Sequence, residues 1–302
     1  MTLVVDLGQS GARLRWDGGE HITTRAKRAT ESSVQTLRDI FTELKTAHPD
    51  AVTHDCVSMS LTGFDGDVPD PLEFGLLAQE FFGATQVAVS DDGLAGFMGA
   101  MHGENGVNLS IGSGAVAVGG RRGKFSHSDG LGHIFGDEGS GFWLGKHGLD
   151  RALATRQGRE QDPTLLDFLS GAVAEFDALE SKTDSHAQSL CISTAKRVLE
   201  AAEHNISSAV AIRDRGAEQL SKTVAAAWNR AGGMSNESMT LTLLGGLAKN
   251  RGYEEAIRRR VSSLLPQMRL SPPRGNHLDG GLLITQTMKE DYPPLLRWWR
   301  AS

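Results

Sequence analysis

Cysteine is nearly absent from this chain of 302 residues, which contains only Cys56 and Cys191, far apart in the sequence. Two isolated cysteines exclude a zinc site built from paired Cys-x-x-Cys motifs. They fit a protein of a reducing compartment, where disulfides are rare. We therefore expect neither a structural metal nor a disulfide framework.

Long apolar runs are missing as well. No uninterrupted apolar stretch approaches the ~18 residues that a membrane-spanning helix needs. The first residues run from an apolar stretch directly into Asp6, without the charged and then apolar pattern of a secretion signal. The sequence therefore predicts a cytoplasmic protein that does not contact a membrane.

Positive charge is in short supply. Lys and Arg total 31 against 37 Asp and Glu, which gives a formal net charge of −6. Nucleic-acid binders normally carry a basic surface, so we expect no nucleic-acid partner. The small basic clusters at 121–124 and 258–260 are interpreted as solvated surfaces.

Glycine, in contrast, is abundant. The chain has 36 glycines, about 12% of its residues, against a usual ~7%. They are concentrated in turns, a pattern that indicates a backbone approaching a ligand closely.

Two stretches of the chain predict the same order of elements, βββαβαβα. Each begins with a strand, a glycine turn and a strand: "TLVV", "DLGQSG" and "ARLRW" in the first stretch, "GVNLSI", "GSG" and "AVAVGG" in the second. The second stretch also holds a long helical insert, at about 138–232. This duplication predicts an α/β fold with two lobes facing each other across a cleft. We assign residues 1–105, with the last helix at about 277–302, to the N-terminal lobe and 106–276 to the C-terminal lobe.

The two glycine turns are candidate phosphate-binding nests, because successive backbone N–H groups at such bends bind phosphate oxygens. Each turn alone favours an ordinary hairpin, whereas their matched positions together favour a nucleotide. The chain contains no Gly-x-Gly-x-x-Gly motif, and "SGFWLGKH" has Ser and His where a P-loop requires Gly and Ser or Thr. A third glycine turn, in "LLGGLAKN", suits either an adenosine or a plain strand-to-helix turn. The candidate residues are Gly8, Gln9, Ser10, Gly11, Gly112, Ser113, Gly114, Gly245 and Gly246.

Carboxylates occur at three informative places. Asp6 ends the first strand beside the first nest, where it could hold Mg²⁺ through water. Asp91 and Asp92 follow a strand and open a helix, which suits either a helix cap or a base that accepts a proton from a hydroxyl. Asp137 and Glu138 lie between glycines, where they either cap a helix or hold a polar ligand.

The order of these motifs resembles the N-acetylglucosamine kinase and BadF-type ATPase family, within the sugar kinase, actin and heat-shock chaperone superfamily. The resemblance covers nearly the whole chain through "VDLGQSGARLR", "SDDGLAGFMGA", "NLSIGSGAVAV", "GLGHIFGDEGSGFWLG" and "LLGGLAKN". Its most specific element is the pattern GHxxGDEGSGxWxG. The resemblance implies two ribonuclease-H-like lobes, as in actin-like ATPases, with a nucleotide cleft between them.

The resemblance also implies residue roles. Asp92 matches the catalytic base for the sugar hydroxyl, and Asp137 matches the carboxylate that holds sugar hydroxyls. Glu138 and Ser140 would complete that loop and start its helix, and Leu131 and Gly132 are further candidate sugar contacts. Ser10 and Ser113 match phosphate-contacting Thr positions, and Gly245 and Gly246 match the adenosine loop.

Three features depart from the family pattern. The first glycine turn has no Lys, Leu131 replaces a Trp that is common beside the sugar, and the segment "TTRAKRATES" contains no sugar-binding Asn. These departures leave the kinase chemistry in place and bear on which sugar is accepted.

The resulting hypothesis is an ATP- and Mg²⁺-dependent kinase that converts a hexose or amino sugar into its 6-phosphate, as a monomer or a homodimer. One alternative is an ATPase that activates a partner reductase through an iron–sulfur cluster. The positions of Cys56 and Cys191 do not favour it. The other alternative is a sugar sensor without turnover.

Overall fold

The computed structural model describes residues 2–8, 11–16, 19–23, 31–49, 53–183 and 185–301. These residues form two β-sheets with helices around them. In chain order, the strands are β1 (Thr2–Gly8), β2 (Gly11–Trp16), β3 (Gly19–Thr23), β4 (Cys56–Leu61), β5 (Gln86–Asp91), β6 (Gly106–Ile111), β7 (Ala115–Arg121), β8 (Lys124–Asp129), β9 (Met239–Leu244), β10 (Met268–Leu270) and β11 (Leu296–Arg300).

Most of the remaining described residues are helical. The α-helices are α1 (Ser33–Ala47), α2 (Leu72–Phe82), α3 (Asp92–Met101), α4 (Gly132–Phe135), α5 (Gly141–Arg156), α6 (Pro163–Phe168), α7 (Ser170–Ala178), α8 (Ser185–Glu203), α9 (Ser207–Arg230), α10 (Arg251–Leu264) and α11 (His277–Thr287). A short 3₁₀ helix, Leu247–Lys249, precedes α10.

The first sheet has six strands in the order β11–β5–β4–β1–β2–β3. Its central strands β1, β4 and β5 are parallel, so their carboxyl ends meet at the same edge. The register places Asp6 beside Ser60 and Leu61 beside Asp91. In open α/β sheets this edge is where ligands bind. The strand topology therefore brings Asp6 and Asp91 to one edge.

Helices α1 and α2 cover the first sheet with apolar side chains. Four residues of α1 recur at helical spacing and are fully buried: Leu37, Ile40, Phe41 and Leu44. They pack with strand residues and with Phe74, Leu77 and Phe82 of α2 in one apolar core. Burial of this stripe stabilises α1 because its apolar residues lie on one face.

Helices α3 and α11 approach each other unusually closely. A methyl group at Gly280 would lie 1.8 Å from the carbonyl oxygen of Ala95, and one at Gly99 would lie 1.9 Å from that of Asn276. Only glycine fits such contacts. Asn276 also caps α11 in a reciprocal pair of hydrogen bonds with Asp279. This packing fixes α3, the helix that begins at Asp92.

The second sheet has five strands in the order β10–β9–β6–β7–β8. Between β8 and β9 the chain forms six helices, α4 to α9. The two longest, α8 and α9, both lie within the helical insert that the sequence predicts.

Contacts divide the chain into two compact units. The first comprises Met1–Asn108, Val118–His127 and Ser271–Ser302, and the second comprises Leu109–Ala117 and Ser128–Leu270. The domain boundary near residue 105 stays a prediction.

The predicted order βββαβαβα is present in both halves of the chain, and α11 packs against α3, β1 and β4 of the first unit. The end of the chain differs from the prediction. Helix α11 ends at Thr287, and β11 follows as an antiparallel edge strand on β5. No helix among the described residues is both long and apolar enough to cross a membrane.

Candidate active site

Three acidic residues lie at or beside the carboxyl edge of the first sheet. Asp6 lies near the carboxyl end of β1, Asp91 is the final residue of β5, and Asp92 begins α3. All three belong to the first unit. The sequence predicted each of them as a candidate functional residue.

Asp91 caps helix α3. It is 2% exposed, and its Oδ1 accepts a hydrogen bond from the Gly93 N–H at 2.9 Å. Its Oδ2 accepts a second bond from the Gly66 N–H at 3.3 Å. Burial raises the pKa of Asp91, although these backbone N–H groups oppose the rise. The helix-cap interpretation of Asp91 is therefore correct.

Asp92 is the carboxyl group of this pair that does not cap the helix. The Thr62 side chain hydrogen-bonds to it, and part of the residue remains accessible to solvent. Burial of the carboxyl raises the pKa of Asp92 above the ordinary carboxyl value, and the negative charge of Asp91 raises it further. A carboxylate with a raised pKa accepts a proton more readily once it is ionised.

Asp6 pairs with Arg13 across the β1–β2 hairpin. The two residues are directly opposite in the antiparallel register, and Arg13 Nε donates to Asp6 Oδ2 at 3.1 Å. Arg13 Nη2 contacts the same oxygen. This contact leaves the other oxygen of Asp6, Oδ1, unused by the arginine.

The first glycine turn is described only at its ends. Gly8 and Gly11 pair as the last residues of the β1–β2 hairpin. The predicted phosphate contacts Gln9 and Ser10 lie outside the described residues, so their roles stay predictions.

The second glycine turn, Gly112–Gly114, joins β6 to β7 and holds the start of α5. Its Gly112 and Ser113 carbonyl oxygens accept from the N–H groups of Gly141 and Phe142, at 2.9 and 3.1 Å. The Gly112 N–H donates within the turn, to the Gly114 carbonyl. The Gly112 amide is therefore engaged within the turn, so the turn is less than a full phosphate-binding nest.

Asp137 lies directly against this turn. It is 5% exposed, and its Oδ1 accepts from the Ala115 N–H at 2.9 Å. A methyl group at Gly114 would lie 2.8 Å from Asp137 Oδ2, so glycine is required there. Asp137 also has a left-handed backbone, with φ 57°. The Ala115 N–H and the closely packed Gly114 therefore fix the position of its carboxylate.

Asp129 holds the loop that carries Asp137. Its Oδ1 accepts from the Gly130 N–H at 2.9 Å and from the Asp137 N–H at 2.8 Å. Thr223 of α9 donates to the other oxygen at 3.4 Å. The aspartate thus closes residues 129–137 into a compact loop.

The residues around Asp137 divide into buried and exposed ones. Glu138 is exposed, whereas Ser140 is fully buried and caps α5 by accepting from the Trp143 N–H at 3.3 Å. Neither carboxylate of the pair caps this helix. Leu131 is 52% exposed, and Gly132, with φ 79°, begins the short helix α4.

The third glycine turn follows β9. Gly245 has φ 99°, and a methyl group there would lie 2.2 Å from the Ile111 carbonyl oxygen. A methyl group at Gly246 would meet no protein atom within 4 Å. Asn250 then caps α10 by accepting from the Tyr253 N–H at 2.8 Å. The turn leaves open space at Gly246, as an adenosine-binding loop would require.

Sequence reasoning missed Arg13, Thr62, His127 and Asp129. Arg13 is placed opposite Asp6 by the register of the β1–β2 hairpin, and Thr62 reaches Asp92, which is far away in sequence. Asp129 carried a local signal, an Asp-Gly pair directly after a strand.

The two cysteines occur in unrelated elements. Cys56 begins β4 and Cys191 lies within α8. Burial raises the pKa of both thiols, which favours their protonated form at neutral pH.

Curated proteins include a relative with a related sequence. An N-acetylmuramic acid/N-acetylglucosamine kinase from Clostridium acetobutylicum is 23% identical over 211 residues, which are 67% of this chain and 68% of that protein.

Solved structures share the fold at lower sequence identity. A protein assigned as an N-acetylglucosamine kinase from Chromobacterium violaceum matches with a TM-score of 0.69 and 22% identity, over 94% of this chain and 98% of that one. A glucokinase of the ROK family from Streptomyces griseus, in complex with glucose and AMPPNP, matches with a TM-score of 0.62 and 15% identity, over 94% and 98% of the two chains. These matches confirm the predicted fold class.

A family model also matches most of the chain. The model of the BadF/BadG/BcrA/BcrD ATPase family matches residues 7–278, which include Asp92, Asp137 and the second and third glycine turns. The chain therefore belongs to the BadF/BadG/BcrA/BcrD ATPase family.

Proposed function

We propose that this protein is an ATP-dependent kinase that transfers the γ-phosphoryl group to the 6-hydroxyl of a hexose or amino sugar, giving a sugar 6-phosphate and ADP. The observation that carries the proposal is Asp92, a carboxylate with a raised pKa at the carboxyl edge of the sheet, beside its capping neighbour Asp91. Family membership supplies the ATP-using chemistry, and the named kinases among the similar proteins support a sugar acceptor.

Asp92 is the proposed general base. As the sugar oxygen attacks the γ-phosphorus, its proton passes to Asp92, and ADP leaves with the electrons of the broken P–O bond. Phosphoryl transfer requires little covalent chemistry from the protein beyond such a base and correct positioning. Thr62 hydrogen-bonds to Asp92 and so orients the carboxylate.

Asp137 is the proposed sugar-binding carboxylate. One of its oxygens is fixed by the Ala115 N–H, which holds the group in a single orientation. A carboxylate held in this way accepts charge-assisted hydrogen bonds from neighbouring hydroxyl groups.

The glycine turns are the proposed nucleotide contacts. Ser113 and Gly114 are proposed to contact the phosphates, and Gly245 and Gly246 are proposed to offer a flat backbone surface to the adenosine. Gly8, Gln9, Ser10 and Gly11 are proposed as the second phosphate contact. Open space beside Gly112 and Gly246 supports a ligand at both turns.

Asp6 suits the proposed Mg²⁺ site. Magnesium usually keeps several water ligands and binds one or two carboxylates together with substrate phosphates. Asp6 Oδ1 is not used by Arg13, so it can accept a hydrogen bond from a magnesium-bound water. Bound Mg²⁺ would neutralise phosphate charge. No group of three or more potential His, Cys, Asp or Glu ligands occurs in the part of the chain that the structure describes.

The acceptor is proposed to be an amino sugar or glucose, with broad selectivity. Leu131 is half-exposed beside two exposed apolar residues of α4, Ile134 and Phe135. An aliphatic side chain packs against a sugar ring less specifically than a flat aromatic side chain does. We therefore expect glucosamine and glucose to compete with N-acetylglucosamine.

A coupled assay of ADP release with N-acetylglucosamine, glucosamine and glucose tests the proposal. We expect at least one sugar to raise ADP release well above the sugar-free rate. Asp92→Asn is the matched control, since it keeps size and removes the base. If no hexose stimulates ADP release while the protein binds ATP, the sugar-kinase proposal is wrong. A sugar sensor would bind sugar without release of ADP, and a reductase activator would require a partner protein.

A further inference from the structure

The imidazole of His127 lies against the helix cap of α3. His127 is in β8, its side chain is 11% exposed, and its Nε2 is 3.5 Å from Asp91 Oδ1. Both residues belong to the first unit. The sequence analysis assigned no role to this histidine.

The loop after β4 holds the imidazole in place. Gly66 has φ 77°, and a methyl group at this position would lie 2.8 Å from the Cγ of His127. The same glycine donates its N–H to Asp91 Oδ2. Imidazole, loop and capping carboxylate are therefore packed as one group, and Thr62 of this loop reaches Asp92.

The charges around this group are mostly negative. The carboxyl of Asp65 acts on Asp91 and raises its pKa, while Asp91 and the more distant Asp6 raise the pKa of Asp92. His277, at the start of α11, acts on Asp92 in the opposite direction. Arg13 is held on Asp6. Backbone N–H groups of Gly66, Gly93 and Leu94 are the remaining partners of Asp91. His127 is thus placed to counter the charge of Asp91.

We propose that His127 is a positioning residue for phosphoryl transfer: it fixes the Asp91 carboxylate and, through the charge of Asp91, sets the ionisation of the base Asp92. This role deepens the proposed function and rests on it for its kinetic readout. No proton passes between His127 and the substrate.

The direction of the effect follows from electrostatics. A positive imidazolium beside Asp91 offsets the negative charge that Asp92 experiences from its neighbour. Ionisation of Asp92 then occurs at lower pH, because a like charge disfavours the charged form and an opposite charge restores it. Asp92 is consequently ionised, and able to accept a proton, down to a lower pH with His127 than without it.

The kinetic test is the acidic limb of the pH profile of kcat/KM in four variants. In His127→Gln the limb should move to higher pH, by about half a pH unit or more. In Asp91→Asn, which retains a helix cap, it should move to lower pH. In the double variant, replacing His127 should add little to the Asp91→Asn effect. The control His204→Gln, an exposed histidine in another part of the chain, should leave the limb in place.

A structural role alone would give a different result. His127→Gln would then lower kcat or thermal stability at every pH without moving the acidic limb. That outcome, or equal shifts with and without the Asp91 carboxylate, would overturn the proposal.

A second measurement does not depend on activity. In protein with ¹³C-labelled histidine, NMR follows the Cε1–H signal of His127 during a pH titration. Asp91→Asn should shift this titration to lower pH, because the carboxylate stabilises the imidazolium. An unchanged titration would overturn the proposal even if the wild type phosphorylates sugar. A shifted titration without turnover on any sugar would support the contact and contradict the proposed function.

Discussion

Two pairs of adjacent acidic residues, Asp91–Asp92 and Asp137–Glu138, occupy different surroundings. In the first pair Asp91 is buried at a strand–helix junction and caps α3, which places Asp92 beside a fixed negative charge. In the second pair only Asp137 is buried, and the Ala115 N–H holds its carboxylate, whereas Glu138 extends into solvent.

The difference shows that adjacency in sequence does not give two carboxylates the same role. In the first pair one carboxylate caps the helix and the other is the proposed base. In the second pair one carboxylate is the proposed sugar ligand, while the other is solvated. Substitutions at the four positions should therefore have very different effects.

The largest effect should come from Asp92→Asn. The substitution preserves size and removes the proposed base, so kcat should fall by roughly 10²–10⁴-fold. ATP affinity should change little, because phosphate contacts come from other residues. Turnover close to the wild-type rate would show that Asp92 is not the base.

Substitutions at the two residues of the second pair should have very different effects on sugar kinetics. Asp137→Asn should lose a charge-assisted hydrogen bond of about 1.5–3 kcal/mol, which lowers kcat/KM for the sugar roughly 10- to 150-fold. Glu138→Gln is the matched control, and it should remain close to wild type because Glu138 is exposed. Kinetics at varied sugar concentration would measure both. Equal losses in the two variants would contradict the contrast drawn here.

Gly114→Ala should affect the same carboxylate indirectly. The added methyl would lie 2.8 Å from Asp137 Oδ2 and displace it, whereas a methyl at Gly112 would meet no protein atom within 4 Å. A displacement of this kind costs on the order of tenfold or more in sugar affinity. Calorimetric titration with sugar should show the loss in Gly114→Ala and not in Gly112→Ala. The reverse ranking would mean that the turn does not position Asp137.

Stability should respond to pH through the first pair. The folded-state pKa of Asp92 is raised, so its contribution to stability is fully present below the unfolded value of about 3.9 and is lost as pH rises through the folded value. Asp92→Asn avoids that loss, which is about 1.4 kcal/mol for each unit of pKa shift.

Chemical denaturation at several pH values measures this effect. Asp92→Asn should be more stable than wild type at pH 7–8 and should approach it near pH 4, while Glu138→Gln should show no such trend. A stability difference independent of pH would argue against a raised pKa of Asp92 in the folded protein.

The smallest effect should come from Ser140→Ala. Ser140, rather than either adjacent carboxylate, caps α5, so its loss should lower the free energy of unfolding by about 1 kcal/mol. Thermal or urea unfolding would measure the change. Ser140→Thr should retain most of the stability, and a loss as large as that of Ser140→Ala would show that the hydroxyl is not what stabilises the helix.

Much of this architecture was predictable from local patterns. Apolar spacing predicted α1, and alternating or continuous apolar runs predicted β1, β2 and β4. Such patterns are local because burial on one face requires a fixed period. The sequence pattern did not predict β11, because this short edge strand, Leu296–Arg300, forms by pairing with β5, which is far away in sequence.

The candidate site was predictable in its residue types but not in its contacts. Asp92 and Asp137 stand in recognisable motifs, and family resemblance named their roles. The contacts of Arg13 with Asp6 and of His127 with Asp91 join residues whose proximity depends on strand register and tertiary packing. No local pattern encodes these contacts.

The location of the transferred phosphate decides whether Asp92 is the base for a sugar hydroxyl. Wild type and Asp92→Asn would each be incubated with ATP, Mg²⁺ and the preferred sugar, and the products identified by ³¹P–¹H correlation NMR. We expect phosphate on the 6-hydroxyl with wild type and almost none with Asp92→Asn. ADP and free phosphate without sugar phosphate, in equal amounts from both proteins, would contradict it.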